Sequence, residues 1–124
     1  MSFEKDNRYF SGRFKSVGFA AKGAFKLITT EHSVMTQFFI AIVMVGLGFY
    51  FDISRTEWML QTITTGMVLG VEGLNTAIEK ICDFIHPAYH ERIGFIKDIS
   101  AGAVMLVALS AIAVGLMIYV PKFL

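Results

Sequence analysis

The chain has 124 residues, enough for a single domain over 1–124, and 55% of them are hydrophobic, an apolar share above that of ordinary soluble domains. Its net charge of +1 is the sum of an uneven distribution, in which most Lys and Arg lie in the first quarter of the chain. The lone cysteine, Cys82, excludes an intrachain disulfide and supplies too little thiolate for a zinc site, so it reads as a small packing residue.

The polar stretch Met1 to Gly12 is not followed by a short apolar core with a small-residue cleavage site, so it does not read as a cleavable signal. From Arg13 to Thr29, Phe14, Val17, Phe19, Ala20, Ala21, Ala24, Phe25 and Ile28 alternate with Lys15, Lys22 and Lys26 at spacings that suit a helix with one apolar face. This predicts an amphipathic helix lying on the membrane surface, its lysines among anionic headgroups. Lysines spread through an aromatic-rich amphipath do not form a basic patch, so no nucleic-acid partner is expected. A polar break, Thr30 to Ser33, follows, with Thr30 the expected cap of the next helix.

Three apolar blocks come next, about 34–51, 58–78 and 99–120, each near the roughly 20 residues that cross about 30 Å of hydrocarbon. The first and third have almost no polar face, which argues against a soluble bundle. Asp52 to Glu57 forms a short turn, and His86, Pro87 and Ala88 end the second helical pattern ahead of a loop. Trp58 and Tyr119, near span ends, read as interfacial anchors, and Gly70, Gly73, Gly102 and Gly115 as close helix contacts. Lys5, Arg8, Arg13, Lys15, Lys22 and Lys26 precede the first span, Arg55 alone follows it, and Lys80, Arg92 and Lys97 follow the second. The bias of basic residues toward the inner face predicts a multi-pass membrane protein with its amino terminus and the segment from Lys80 to Lys97 in the cytoplasm, and Arg55 and the carboxyl terminus outside.

The second span carries Glu72, Asn75, Glu79 and Asp83, which fall within a stripe of roughly 80° on one helix face. Clustered carboxylates in a low dielectric must be protonated or neutralised, and a divalent cation is an obvious neutraliser. Mg²⁺ is satisfied by one or two carboxylates plus substrate phosphates, and phosphoryl transfer needs little beyond such a metal, a cation and a carboxylate base. Lys97, beside Asp98, is an available cation on the same side as Glu31, Glu79 and Asp83. The same pattern would equally serve an ion path or proton relay in a small oligomeric channel. No glycine-rich nucleotide loop of the soluble kinases occurs.

The run Glu-Gly-Leu-Asn-Thr-Ala-Ile-Glu from Glu72 to Glu79, then Asp83, Tyr89-His90 and Lys97-Asp98 leading into Ser100-Ala101-Gly102-Ala103, resembles the prokaryotic diacylglycerol kinase and undecaprenol kinase family. The likeness covers nearly the whole chain. It implies an all-α membrane protein, an amino-terminal amphipathic surface helix plus three transmembrane helices, assembled as a homotrimer with sites shared between subunits. It implies ATP- and Mg-dependent phosphorylation of a membrane lipid alcohol, with Glu72 as catalytic base and Asn75 supporting the reacting groups. By the same resemblance Glu31 and Glu79 hold Mg²⁺ and form part of the nucleotide site with Ala88, Tyr89, His90, Lys97 and Asp98, while Asp83 and Arg13 are in support. Gly12 falls where some members have arginine, Gln37 where some have an acidic residue and Phe19 where some have tyrosine. His86-Pro87 and the Ala-Gly-Ala after Asp98 look more like the undecaprenol-using branch.

Overall fold

The computed structural model describes residues 6–124, with side chains from Phe10 onward; Lys5 and the side chain of Arg8, counted above for orientation, lie outside the described residues. Among the described residues four helices make up the fold: α1 Asp6–Thr30, α2 His32–Tyr50, α3 Arg55–Ile85 and α4 Glu91–Phe123. α3 packs most extensively on α4, α2 lies against α3, and α1 joins at the α2 end.

α1 begins well before the expected Arg13, and its exposed faces carry Phe10, Phe14, Val17, Phe19 and Phe25. It ends where Thr29 and Thr30 turn their hydroxyls back onto the carbonyls of Phe25 and Lys26. Such local bonds compete with helix continuation. A single extended residue, Glu31 (φ −100°, ψ 116°), then separates α1 from α2 and serves as the cap of α2. Thr30 is therefore not the cap that the sequence predicts, because its hydroxyl is already committed to Lys26.

The α2–α3 turn is held by its backbone. Asp52 takes a left-handed conformation (φ 51°), the Ile53 N–H reaches the Gly48 carbonyl at 3.1 Å and the Asp52 N–H reaches that of Phe49 at 3.3 Å. This is the Schellman arrangement, with a short polar side chain where glycine is commonest. α3 starts immediately, through a reciprocal capping box between Ser54 and Glu57. Arg55 to Glu57 are thus helical rather than part of the turn. Lys122, near the end of α4, closes on Glu57 at 3.1 Å.

Near this turn sits a small core of Ile53, Ile118 and Tyr119, with Trp58 packed against it. Tyr119 differs from the interfacial anchor expected of it. It is only 7% exposed, and its hydroxyl donates to Gln61 Oε1 at 2.6 Å and approaches the Met44 carbonyl at 3.3 Å, while Gln61 Nε2 donates to that same carbonyl at 3.1 Å. One polar knot therefore joins α2, α3 and α4. A buried phenol needs such a partner.

α2 and α4 are long and apolar enough to cross a membrane, and only 11% of the apolar window of each is buried, unlike the core helix of a soluble protein. α3 falls short of that apolarity because Gln61, Glu72, Asn75 and Glu79 interrupt it. At 31 and 33 residues, α3 and α4 run well past the apolar blocks from which they were anticipated. At about 1.5 Å per residue both are longer than the roughly 30 Å of a bilayer's hydrocarbon, and their joined ends carry polar residues.

Candidate functional site

α3 continues unbroken through Glu72, Asn75, Glu79 and Asp83, so the single-face stripe is present as drawn from spacing. Its environment grades along the helix. Glu72 is 7% exposed, Asn75 half-buried, and Glu79 and Asp83 exposed. Beside Glu72, Gly73 receives the side chain of Leu27 from α1, and Thr76 donates its hydroxyl to the Glu72 carbonyl at 3.1 Å. Leu27 therefore packs α1 onto α3 at the residue next to Glu72.

α4 meets this face through two polar contacts. Ser100 Oγ donates to Asn75 Oδ1 at 2.7 Å, and Lys97 Nζ donates to Asp83 Oδ1 at 2.7 Å. The hydrogen bond to Asp83 holds the Lys97 ammonium above its ordinary pKa against some loss of solvation, and Glu79 lies near enough to add to that field. Lys97 and Asp98 sit inside α4, two turns past its start, rather than at the mouth of a helix beginning near Ile99. The early start follows from His90, whose Nδ1 accepts the Arg92 N–H at 3.1 Å as the helix cap.

The loop 86–90 is short and ordered by its own side chains. His86 Nδ1 lies 2.7 Å from the Ala88 carbonyl, which can only accept, so that nitrogen carries the proton. The His86 and His90 rings meet edge-on at 5.2 Å, and Tyr89 lies alongside Gly94. Cys82 is buried beneath this end of α3, as its reading as a packing residue requires.

Glu31 comes to the same place from the other side. Its carboxylate lies 3.2 Å from Lys80 Nζ, which brings the α1–α2 break to the residue next to Glu79. The structure thus gathers Glu31, Lys80, Asp83 and Lys97 at the end of α3 that bears Glu79, with Glu72 and Asn75 deeper along the same helix. Asp98 and Arg13 are exposed, Arg13 on the surface of α1. Among the described residues no group of three or more His, Cys, Asp or Glu side chains forms a metal cage. Two hard carboxylates at one helix end are nonetheless the donor type that Mg²⁺ shares with phosphates.

Two participants escaped the sequence reading. Ser100 stands in the run quoted for the resemblance, but its pairing with Asn75 spans 25 positions and follows only from the α3–α4 packing. Lys80 carried no expected role beyond orientation, although its place beside Glu79 put it on the candidate face. Of the glycines expected as close contacts, Gly73 is one, whereas Gly70, Gly102 and Gly115 face open space within this chain; Gly48, against the Trp58 ring, is the tightest.

Comparison with known proteins bears on what this arrangement does. The family described as prokaryotic diacylglycerol kinase matches residues 18–119. The undecaprenol kinase of Bacillus subtilis (strain 168) is 34% identical over 95% of this chain and 97% of its own. The diacylglycerol kinase of Escherichia coli (strain K12) is 27% identical over 83% of this chain and 84% of its own. That of a Synechocystis species is also 27% identical, over 88% of this chain and 63% of its own. A lipid kinase, not a channel, is what these similarities support. With four helices of the expected order and the polar face on α3, the chain belongs to the prokaryotic diacylglycerol kinase family of membrane lipid kinases.

Proposed function

We propose that the protein transfers the terminal phosphate of ATP to the hydroxyl of a membrane lipid alcohol, diacylglycerol or undecaprenol, at the cytoplasmic face of the bacterial inner membrane. The observation that carries this reading is the graded stripe on α3, from buried Glu72 to exposed Glu79 and Asp83, flanked by Lys97. A carboxylate at the apolar end suits a lipid hydroxyl, and charged groups at the wet end suit a nucleotide. α3 is the second of three membrane-crossing helices, its polar face turned from lipid. Between 34% and 27% identity, the undecaprenol kinase covers more of the chain, which favours a polyprenol acceptor.

Glu72 accepts the proton of the attacking hydroxyl, and its burial keeps water from competing. Asn75, its amide oxygen engaged by Ser100, presents its amide nitrogen to the reacting groups. Glu31 and Glu79 would hold Mg²⁺, which when bound neutralises charge on the triphosphate. Lys97 exchanges its contact with Asp83 for the phosphates, and Asp83 and Arg13 support the site. Ala88, Tyr89, His90 and Asp98 form its nucleotide side. Two apolar helices so little buried in one chain, with Gly70 and Gly102 open for packing, support assembly as a homotrimer.

The test is direct. Purified protein with labelled ATP, Mg²⁺ and a panel of lipid alcohols is expected to yield labelled phospholipid, and undecaprenol is expected to be the better acceptor. Absence of label on every alcohol removes the proposal.

A further inference from the structure

A groove of about 480 Å³ runs between α2, α3 and α4, between the candidate site and the α2–α3 turn. Its α3 wall is Gln61, Thr64, Thr65, Val68 and Leu69, and Glu72 stands on the same face one turn beyond Val68. We propose that this groove takes one hydrocarbon tail of the lipid alcohol whose hydroxyl is presented to Glu72, and that the Gln61–Tyr119 pair closes its far end. The inference rests on the lipid-kinase reading and assigns a part of the acceptor to a place that reading leaves open.

Three observations favour a tail. Length is the first: Gln61 and Glu72 are eleven residues apart on one helix, roughly 16 Å along its axis. That matches the hydrocarbon of one leaflet, half of about 30 Å. Polarity is the second. Tyr119 donates to Gln61, Gln61 donates to the Met44 carbonyl, and Thr64 donates to the carbonyls of Leu60 and Gln61. These lining groups are satisfied within the protein, so an alkyl guest costs them no hydrogen bond. Shape is the third. Ala108, Ala111 and Gly115 recess the α4 wall, and at about 480 Å³ the groove lies in the range of ligand sites, roughly 300–1,000 Å³. The tail therefore enters beside Glu72 and ends at the Tyr119 hydroxyl, which fixes the depth of the headgroup.

The experiment fills the groove and varies the tail. Ala111→Phe and Gly115→Leu, each in the full-length protein, are assayed with short-tailed and long-tailed alcohols of one headgroup. The expected result is a fall of about tenfold or more in kcat/KM for long tails relative to short ones, with KM for ATP unchanged. A second measurement needs no variant: a long-tailed alcohol with a photoreactive group at the tail end is expected to label the Gln61–Tyr119 region of the wild-type protein, suppressed by unlabelled lipid. An equal loss on all tails together with a changed oligomeric state would identify a second copy's helix as the occupant and overturn the proposal. Labelling confined elsewhere overturns it too. If the wild type phosphorylates no lipid alcohol, the kinase reading fails instead, and the two failures are distinct.

Discussion

Ser100 and Asn75 are joined by a 2.7 Å hydrogen bond from hydroxyl to amide oxygen, the contact that ties α4 to the α3 face three residues beyond Glu72. It fixes which end of the Asn75 amide is spent on structure and which is left for chemistry, since the oxygen accepts from Ser100 and the nitrogen remains a donor.

Ser100→Ala is expected to lower kcat by up to about tenfold, the effect of losing one hydrogen bond of ~1 kcal/mol, with KM for ATP little changed. Ser100→Thr, which keeps the hydroxyl, is expected to restore most of the rate. Equal loss in both variants would mean that packing rather than the hydroxyl matters there.

Glu72→Gln keeps the shape of the buried side chain and removes its basicity. Turnover is expected to fall by about 10²- to 10⁴-fold, the usual contribution of a positioned general base, while nucleotide binding followed by calorimetry persists. Retained turnover takes Glu72 out of its role.

Much of this was readable from the residues alone, and the misses share one cause. Hydropathy marks where a helix must be apolar, so α2 is found nearly to the residue, but it is silent on how far a helix continues through polar residues. α3 and α4 overrun their apolar blocks because their ends are set by local bonds: the Ser54–Glu57 capping box and the His90 cap. The first of these stands in the sequence as Ser-Arg-Thr-Glu, inside the stretch that reads as a turn. The stripe of Glu72, Asn75, Glu79 and Asp83 was legible because it lies on one helix. Glu31 with Lys80, Ser100 with Asn75 and Tyr119 with Gln61 were not, since each pair joins different helices and depends on how those helices pack.

Magnesium dependence separates Glu31 and Glu79 from the base. Glu31→Gln and Glu79→Gln are each expected to raise the Mg²⁺ concentration for half-maximal activity by about tenfold, the equivalent of ~1.4 kcal/mol of lost binding. An unchanged magnesium profile in either variant argues against ligation at that residue.

At the opposite end, Glu57 is held below its ordinary carboxyl pKa of 4.5, chiefly by the Ser54 backbone N–H and then by Lys122. A lowered folded-state value means the contribution is complete above the unfolded pKa and is lost as pH falls through the folded one. The only tryptophan, Trp58, adjoins Glu57 and reports on it. Its emission is expected to be steady from neutral pH down to about 5 and to shift below the ordinary carboxyl value, as the cap and the Lys122 bridge release together. Glu57→Gln is expected to remove that acid transition; if the transition persists unchanged, another group controls this turn.

Two glycines invite the same substitution with different outcomes. A Cβ at Gly48 would stand 2.6 Å and 2.8 Å from Cη2 and Cζ2 of the Trp58 indole, whereas one at Gly73 would stand 2.9 Å from Cδ1 of Leu27. The indole is rigid and wedged between Gly48 and Phe49, whose ring lies 4.9 Å away, so it has little room to yield. A leucine methyl moves by a single rotation. Gly48→Ala is therefore expected to cost about 1–3 kcal/mol, as overpacking does. Gly73→Ala is expected to be near neutral, because alanine's helix preference of about 0.5–1 kcal/mol offsets the displaced methyl. Thermal unfolding in detergent reads the contrast, and Trp58→Leu in the Gly48→Ala background is expected to recover part of the loss. Equal midpoints for the two single variants would show that the indole gives way as readily as the leucine.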